Sequence, residues 1–156
     1  MWGTLPGVRW PSRVGILCLI ALGAILSRPL LHIVQGGETY TILPNLEVDS
    51  ASYDSFAVAV VNAGSLRAVP PTFPPGFVAI VAAVYATVGH SIVAAKILLW
   101  VCLVAATVGT GLLARRVYDS ASAGWTAALL TASSAALQAY TGTLQYEVLV
   151  AAMILA

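Results

Sequence analysis

Charged side chains are scarce in this sequence, which has seven Lys and Arg and six Asp and Glu among 156 residues. A nucleic-acid interface needs a basic face, so this small and nearly balanced charge excludes that class of protein. Apolar residues make up 60% of the chain and the mean hydropathy is +0.92. A soluble domain of this size could not bury so much apolar surface in one core. The composition therefore predicts an all-α fold, a polytopic transmembrane helical bundle formed by one membrane domain.

Metal-binding and nucleotide-binding motifs are also missing. Cys18 and Cys102 lie in apolar runs without a CxxC or Cys/His spacing, so neither a disulfide nor a metal cluster is expected. His32 and His90 are isolated in the sequence and are interpreted as boundary residues. GxGxxG, GxxxxGK[ST] and GxSxG do not occur, which excludes soluble nucleotide-binding proteins and hydrolases.

Four apolar runs predict the membrane spans. The first, 14–34, has about the ~20 residues needed to cross a ~30 Å hydrocarbon layer. It continues past Arg28 without a small-residue cleavage site, so it is interpreted as an uncleaved span rather than a secretory signal. Residues 92–114 and 121–141 are the second and third predicted spans, and 144–156 is the start of a fourth. Because a native C-terminus normally clears the bilayer, we expect the chain to be a fragment of a longer protein.

Basic residues predict the orientation. Arg9 and Arg13 precede the first span, while Arg115 and Arg116 separate the second span from the third. Basic residues are enriched in cytoplasmic loops, so these positions and the N-terminus are expected to be cytoplasmic. The long loop 35–90 must then face outward.

The outer loop 35–90 has its own predicted elements. Apolar positions in 50–63 recur at helical spacing and stop before Gly64, which predicts an amphipathic helix on the membrane surface. The proline-rich stretch 69–76 predicts a rigid, extended strap. Residues 77–88 are apolar and helical but cover only ~18 Å, so we expect a short juxtamembrane helix that does not span.

Acidic residues gather on the predicted outer side. Asp49 precedes the surface helix and Glu147 begins the fourth span, so both carboxylates are expected at one membrane face. Two such carboxylates suit general-base catalysis or metal binding. Two simpler explanations stay open, since Asp49 suits a helix N-cap and Glu147 suits a helix N-terminal acid among lipid headgroups. Asp54 projects from another face of the helix and is interpreted as solvated.

Basic residues near the outer boundary have two interpretations. Arg28, Arg67 and Lys96 are placed where each could contact a phosphate group of a lipid. Alternatively, their side chains extend to the headgroups simply to keep their charge in water.

Small residues at four-residue spacing predict close packing of the second and third spans. They are Ala105 with Gly109, and Ala128 with Ala132 and Ala136. Such spacing allows helix backbones to approach each other, although small residues are also ordinary in apolar helices.

Several motifs occur in a defined order along the chain. They are Asp49-Ser50 with Tyr53, Pro74-Pro75-Gly76-Phe77, Tyr85, Gly89, Ala95-Lys96, Ala114-Arg115-Arg116, and Glu147. This order resembles the N-terminal part of the polytopic GT-C glycosyltransferases, which include protein mannosyltransferase-like, aminoarabinose transferase-like and Rgt-type enzymes. The resemblance runs from Val14 to Ala156 and would cover about the first third of a family member. In the family the strap usually has tyrosines where this chain has Phe73 and Phe77.

The resemblance implies transfer of a sugar from a polyprenyl-phosphate donor to a glycan, lipid or protein acceptor on the outer side of the cell (plasma or inner) membrane. Asp49 would be the base or the carboxylate that orients the acceptor, and Glu147 would assist it. Tyr53, Arg67 and Lys96 would bind substrate, the two basic groups by stabilising phosphate charge. No cofactor is implied, and two acids are compatible with a divalent metal ion without requiring one.

Two further expectations accompany this resemblance. The fragment alone should be inactive, because the spans that would close the donor cavity are missing. The alternative function is a small multi-pass membrane subunit or a transporter fragment without catalytic activity. Transporters tend to carry ionisable residues or broken helices near mid-membrane, whereas the charges here are predicted at the boundaries.

Overall fold

A computed structural model describes residues 13–39 and 44–155 of the chain. Every regular element in those two ranges is helical, which confirms the all-α prediction for this part of the chain. The helices are α1 (Arg13–Gly36), α2 (Pro44–Ala63), a 3-10 turn (Leu66–Ala68), α3 (Pro75–Val88), α4 (Ile92–Tyr118), α5 (Ala121–Ala132), α6 (Ala135–Gly142) and α7 (Glu147–Leu155).

Two helices, α1 and α4, are long and apolar enough to cross a membrane. They coincide with the first two predicted spans, although each extends beyond the predicted end. Helix α1 leaves most of its apolar surface uncovered: Val14, Leu17 and Ile20 are 64%, 66% and 64% exposed. An apolar surface of this extent is stable only when lipid or other protein covers it.

Helices α1 and α4 are antiparallel. The indole N–H of Trp100, early in α4, donates to the carbonyl of Leu26, late in α1, at 2.8 Å. Glu38, just after α1, contacts the first residues of α4. The ends of the two helices that carry Arg13 and Arg115 therefore lie on the same side of the molecule. The opposite end holds the connection from α1 and the start of α4.

The third predicted span, 121–141, is not one continuous helix, and that prediction is wrong in this respect. It is divided into α5 and α6 at Ser133 and Ser134. Ser134 is the N-cap of α6, accepting a hydrogen bond from the Leu137 amide, while the Gln138 side chain donates to the Ala132 carbonyl at 2.6 Å. Serine hydroxyls compete with helical backbone bonds in this way, which explains a break that hydropathy alone does not indicate.

Helix α5 packs tightly on α4 through glycines. A Cβ on Gly124 would lie 2.9 Å from the Gly111 carbonyl oxygen, and a Cβ on Gly111 would lie 3.1 Å from the Cβ of Ala128. Small residues therefore do bring these two helices together, as small side chains do in membrane bundles. The predicted pairing was only partly right, because Ala105 and Ala136 are exposed.

Helix α7 runs parallel to α4 on another of its sides. Val148, at the start of α7, packs with Leu103, and a Cβ on Gly109 would lie 3.0 Å from the Cβ of Leu155. The residue numbers at these two contacts increase together along both helices, as they do for parallel helices. Helix α4 is thus the central element of the described fold, with α1, α5, α6 and α7 around it.

Helices α2 and α3 form a smaller layer near the start of α4. Most of the apolar stripe predicted for α2 packs against α3, where Tyr53 and Ala57 join Phe77 and Val81 in one cluster, whereas Val61 is exposed. Helix α2 begins at Pro44, six residues before the predicted start at Ser50. Gly64 follows the helix with a φ of +60°, a conformation that glycine adopts without strain.

The proline-rich segment between α2 and α3 is not the fully extended strap that was predicted. The amide of Phe73 donates to the carbonyl of Pro70 at 3.0 Å, which closes a turn. Pro71 lies at the second position of that turn, where its fixed φ is favourable. The turn moves the Phe73 ring back onto α2, against Tyr53 and Phe56.

Candidate functional site

A cluster of aromatic rings surrounds Tyr53 of α2. The Tyr53 ring makes edge-on contacts with Phe73 at a centroid distance of 5.3 Å, with Phe77 at 4.9 Å and with Tyr146 at 6.5 Å. We call these four residues the Tyr53 cluster. Edge-to-face pairs of this kind add to the stabilisation that burial gives. The cluster joins α2, the start of α3 and the residue that precedes α7.

Two carboxylates lie within electrostatic reach of the Tyr53 hydroxyl. The pKa of Tyr53 is raised from 10.0 to about 12. Burial is the main cause, and Tyr146 and the negative charges of Asp49 and Glu147 contribute further. Each group disfavours the phenolate because it removes water or adds like charge. The structure thus brings Asp49 and Glu147 to the same ring although 98 positions separate them in the chain.

Asp49 lies in the second turn of α2 and is exposed. Because the helix begins at Pro44, Asp49 is too far inside it to cap its N-terminus. The N-cap interpretation of Asp49 is therefore wrong. Its carboxylate is left available to solvent or substrate, one helical turn before Tyr53.

Glu147 is the first residue of α7, which agrees with its interpretation as a helix N-terminal acid. Its Oε2 atom is buried, however, and accepts no hydrogen bond from any residue in the described ranges. A buried carboxylate oxygen without a donor is costly, which marks Glu147 as more than a helix-terminal charge. The side chain therefore has one oxygen that can still accept a hydrogen bond.

Gln145 is a candidate that the sequence interpretation missed. Its side chain is 3% exposed, and its Nε2 atom likewise has no acceptor among the residues described. An amide nitrogen donates and a carboxylate oxygen accepts, so each of the two side chains has one hydrogen-bonding position unused among the described residues. The available signal was the polar run Gln145-Tyr146-Glu147 directly before an apolar helix.

Ser50 connects the two elements that carry the acids. The Leu144 amide donates to the Ser50 hydroxyl at 3.2 Å, and both residues are fully buried. This bond fixes the second turn of α2 against the segment that leads into α7. The relative position of Asp49 and Glu147 depends on it.

Lys96 is placed separately, inside the protein. It is 2% exposed, and its ammonium group donates to the carbonyls of Gly37 and Thr39. It therefore does not extend to lipid headgroups, and that interpretation of Lys96 is wrong. Lys96 lines a cavity of about 190 Å³ together with His32 and Gln35 of α1.

Glu38 was not singled out in the sequence, yet it closes the start of α4. One carboxylate oxygen accepts from the amides of Ile92 at 2.5 Å and Val93 at 3.3 Å, and the other accepts from the Ser91 hydroxyl at 3.0 Å. A carboxylate is favourable at a helix N-terminus because the first amides lack partners within the helix. Its partners are more than fifty residues away, so no local pattern indicated them.

The other basic candidates remain on the surface. Arg28 in α1 and Arg67 in the 3-10 turn are both exposed. Within the described part of the chain, no hydrogen bond or ion pair connects Arg67 or Lys96 to the Tyr53 cluster. The structure thus gathers three of the five predicted site residues, Asp49, Tyr53 and Glu147.

Asp54 and His90, interpreted as solvated and isolated, are in contact with each other. One oxygen of Asp54 accepts from the Tyr85 hydroxyl at 2.6 Å and lies 2.9 Å from Nε2 of His90. The Asp54 side chain is only 16% exposed. The interpretation of Asp54 as solvated is therefore wrong, because α3 and the residues after it fold back onto α2, whereas His90 stays half-exposed at the edge of this layer. These contacts hold the layer together on the side away from Asp49.

Residues 13–39 and 44–155 contain no group of three or more His, Cys, Asp or Glu side chains arranged to hold a metal ion. Asp49 and Glu147 supply two carboxylates. Magnesium is commonly held by one or two carboxylates with substrate phosphates completing its coordination, so these residues fit a metal only together with a phosphorylated ligand.

Comparison with known proteins assigns the chain to no family. No family model, no curated protein and no solved structure matches it. Its function is therefore inferred from its own residues and their geometry.

Proposed function

We propose that this chain belongs to a membrane glycosyltransferase of the GT-C type, which transfers a sugar from a polyprenyl-phosphate donor to a hydroxyl acceptor outside the cell membrane. The observation that carries the proposal is the placement of both acids around Tyr53: Asp49 lies one turn before it in α2, and Glu147 follows Tyr146, whose ring contacts the Tyr53 ring. One of these acids has a buried oxygen without a donor among the described residues. The motif order given above supports the same assignment.

The proposal includes a multi-pass topology with a cytoplasmic N-terminus. Arg13 and Arg115 lie at one end of the antiparallel pair α1 and α4, and basic residues mark the cytoplasmic side of membrane proteins. Helices α5 and α6 together run from beside Arg115 to beside Lys96, so they would cross as one broken span. The Tyr53 cluster would then lie on the extracytoplasmic side, in or near the headgroup region.

The reaction requires one base and one anionic leaving group. The acceptor hydroxyl gives its proton to a carboxylate while its oxygen bonds to the anomeric carbon. The bond from that carbon to the phosphate oxygen breaks, and the electron pair leaves with the phosphate. We assign Asp49 as the base because it is accessible, and we assign Glu147 and Gln145 to holding the acceptor hydroxyl.

Tyr53 would contribute as a hydrogen-bond donor. With a pKa of about 12 it stays protonated at neutral pH, so it cannot act as a base. Its hydroxyl donates to no residue in the ranges described, and it is therefore available to a sugar or phosphate oxygen. Arg67 and Lys96 remain proposed phosphate-binding residues, of which Lys96 already lines a cavity of about 190 Å³. A divalent ion, if bound, would neutralise phosphate charge.

A multi-pass subunit or transporter fragment without catalytic activity is the second candidate. The break between α5 and α6 favours it, because transporters build substrate sites from discontinuous helices. In such sites the freed carbonyls coordinate ions. Here the Gln138 side chain donates to the Ala132 carbonyl, and Ser134 caps α6. The backbone at the break is thus partly satisfied by the protein itself, so we prefer the first proposal.

The proposal is tested by sugar transfer with the full-length product of the gene in proteoliposomes that contain polyprenyl-phosphate-linked sugars. Asp49→Asn and Glu147→Gln should each reduce turnover by about 10²-fold or more, the usual contribution of a general base. Asp119→Asn is the matched control, because Asp119 is an exposed acid at the opposite end of α4. It should leave turnover unchanged.

Two outcomes would reject the proposal. Undiminished transfer by both site variants would show that the carboxylates take no part in the reaction. The transporter alternative would instead be established by two results together. No polyprenyl-phosphate sugar would support transfer, and a solute would cross the proteoliposome membrane in a substrate-dependent way.

A further inference from the structure

A groove of about 260 Å³ lies between α1, α4 and α5, at the end of the molecule that carries Arg115. Its walls are almost entirely apolar and include Leu19 and Leu22 of α1 and Leu112 of α4. Its volume is just below the ~300 Å³ at which small-molecule sites begin, so it suits part of a larger ligand. The groove is far from Asp49 and Glu147 and takes no part in the proposed transfer reaction.

Close packing of α4 and α5 forms the floor of the groove. The floor is lined by Gly111, Gly124 and Ala128. Because these residues are small, the two helix backbones contact each other closely, and the larger side chains around them form the walls. Helix α1 then supplies the third wall. The groove is thus a consequence of the helix contacts themselves and persists as long as the helices stay packed.

Two polar groups stand at the mouth of the groove. The backbone and Cβ of Arg115 are held in place, because its Cβ lies against Gly124 and its carbonyl accepts from the Ser120 amide at 3.2 Å. Its guanidinium group is exposed and makes no ion pair in the described ranges. The indole N–H of Trp125 likewise has no acceptor there. An apolar groove lined also by an unpaired cation and an indole matches a hydrocarbon chain joined to an anionic, oxygen-rich headgroup.

We propose that this groove binds one acyl chain of an anionic phospholipid from the surrounding bilayer, with the lipid phosphate at Arg115 and Trp125. Basic residues at helix ends attract anionic lipids of the adjacent leaflet, and tryptophan prefers the headgroup level. In addition to this general attraction, the groove provides a defined binding site for the acyl chain of the lipid. A bound lipid would fill the space between α1 and α5 and stabilise their contact with α4.

Lipid quenching of Trp125 fluorescence tests the proposal. Replacing Trp2, Trp10 and Trp100 with Phe leaves Trp125 as the sole tryptophan of the four. The chain is placed in phosphatidylcholine nanodiscs with increasing fractions of phosphatidylglycerol brominated on its acyl chains. Quenching should saturate at a low fraction of the anionic lipid, and brominated phosphatidylcholine should quench much less at the same fraction.

Arg115→Gln should weaken the preference for the anionic lipid about fivefold, the effect of about one basic charge near a membrane surface. The matched control is Arg116→Gln, which removes the same charge at the next position but does not line the groove. It should keep most of the preference. Native mass spectrometry of the chain with all its tryptophans should show about fivefold less phosphatidylglycerol retained by Arg115→Gln than by the parent and by Arg116→Gln.

Three results would overturn the proposal. Equal loss in both arginine variants would mean a diffuse basic surface, and equal quenching by both lipids would mean ordinary contact with the bilayer. If neither brominated lipid quenches Trp125 and mass spectrometry shows a dimer, a second copy of the chain covers the groove.

Discussion

The hydroxyl of Ser50 accepts a hydrogen bond from the backbone amide of Leu144, 3.2 Å away and ninety-four residues later in the chain. Both residues have no solvent exposure. Each is adjacent to a part of the candidate site, since Asp49 precedes Ser50 and Gln145 follows Leu144. This buried hydrogen bond and the ring contact of Tyr53 with Tyr146 therefore hold the two halves of the site together.

Ser50→Ala should lower the free energy of unfolding by about 1–3 kcal/mol, because it leaves the buried Leu144 amide without an acceptor. Thermal unfolding in detergent micelles, followed by helical circular dichroism, measures the change. Ser55→Ala is the control in the same helix: the Ser55 hydroxyl is exposed and bonds only to the Ser52 carbonyl. Its effect should stay within about 0.5 kcal/mol. Similar losses in the two variants would show that Ser50 has no special role.

The helical content of the chain could be predicted from sequence because it depends on local properties. A run such as 92–114 has enough apolar residues to predict a helix whatever the tertiary contacts around it. The break at Ser133 and Ser134 could not be predicted this way, since hydropathy averaged over a span does not register two small polar residues. Its cause is specific hydrogen bonding by serine and by Gln138.

The candidate site was predictable only in part, for a different reason. Glu147 was found because an acid directly before an apolar run is unusual, and Asp49 because both acids were expected at one membrane face. The partners of Lys96, Glu38 and Asp54 lie more than thirty residues away, so no periodicity or spacing indicated them. Contacts of this kind exist only after the helices have packed.

The Tyr53 phenol should ionise well above the ordinary tyrosine range. Its folded-state pKa of about 12 exceeds the unfolded value of 10.0, so this group contributes stability that is complete below pH 10 and lost as the pH rises towards 12. The absorbance of phenolate is the measure, and the difference between the parent chain and Tyr53→Phe isolates this residue. Its midpoint is expected near pH 12. A midpoint near pH 10 would contradict the burial of Tyr53.

Removing a neighbouring charge should move the same titration downward. In Glu147→Gln and in Asp49→Asn the Tyr53 midpoint should fall, because each carboxylate opposes formation of the phenolate. The shift should be smaller than the total elevation, since burial is the largest cause. The control is Asp119→Asn, whose exposed carboxylate is at the opposite end of α4. If the Tyr53 midpoint is the same in all three variants as in the parent chain, neither acid lies near Tyr53.

Gly124→Ala should destabilise the packing of α4 on α5. The new Cβ would lie 2.9 Å from the Gly111 carbonyl oxygen and 2.9 Å from the Arg115 Cβ, so the backbones must separate. Overpacking of this kind costs about 1–3 kcal/mol. The control is Gly23→Ala in α1, where nothing lies within 4 Å and the helix should gain about 0.5–1 kcal/mol. Denaturant unfolding in mixed micelles distinguishes them, and a stabilised Gly124→Ala would refute the close contact.

Glu38 provides a last test, because it caps α4 from a distant position. Glu38→Ala should cost about 1–3 kcal/mol, since the Ile92 and Val93 amides and the Ser91 hydroxyl all lose their acceptor. Glu38→Gln keeps one carbonyl oxygen and loses the charge, so its cost should be intermediate. Amide hydrogen exchange at Ile92 and Val93 localises the effect, and protection should fall most in Glu38→Ala. If both variants exchange as slowly as the parent chain, the amides at the start of α4 have another acceptor, and Glu38 does not hold the end of α1 against it.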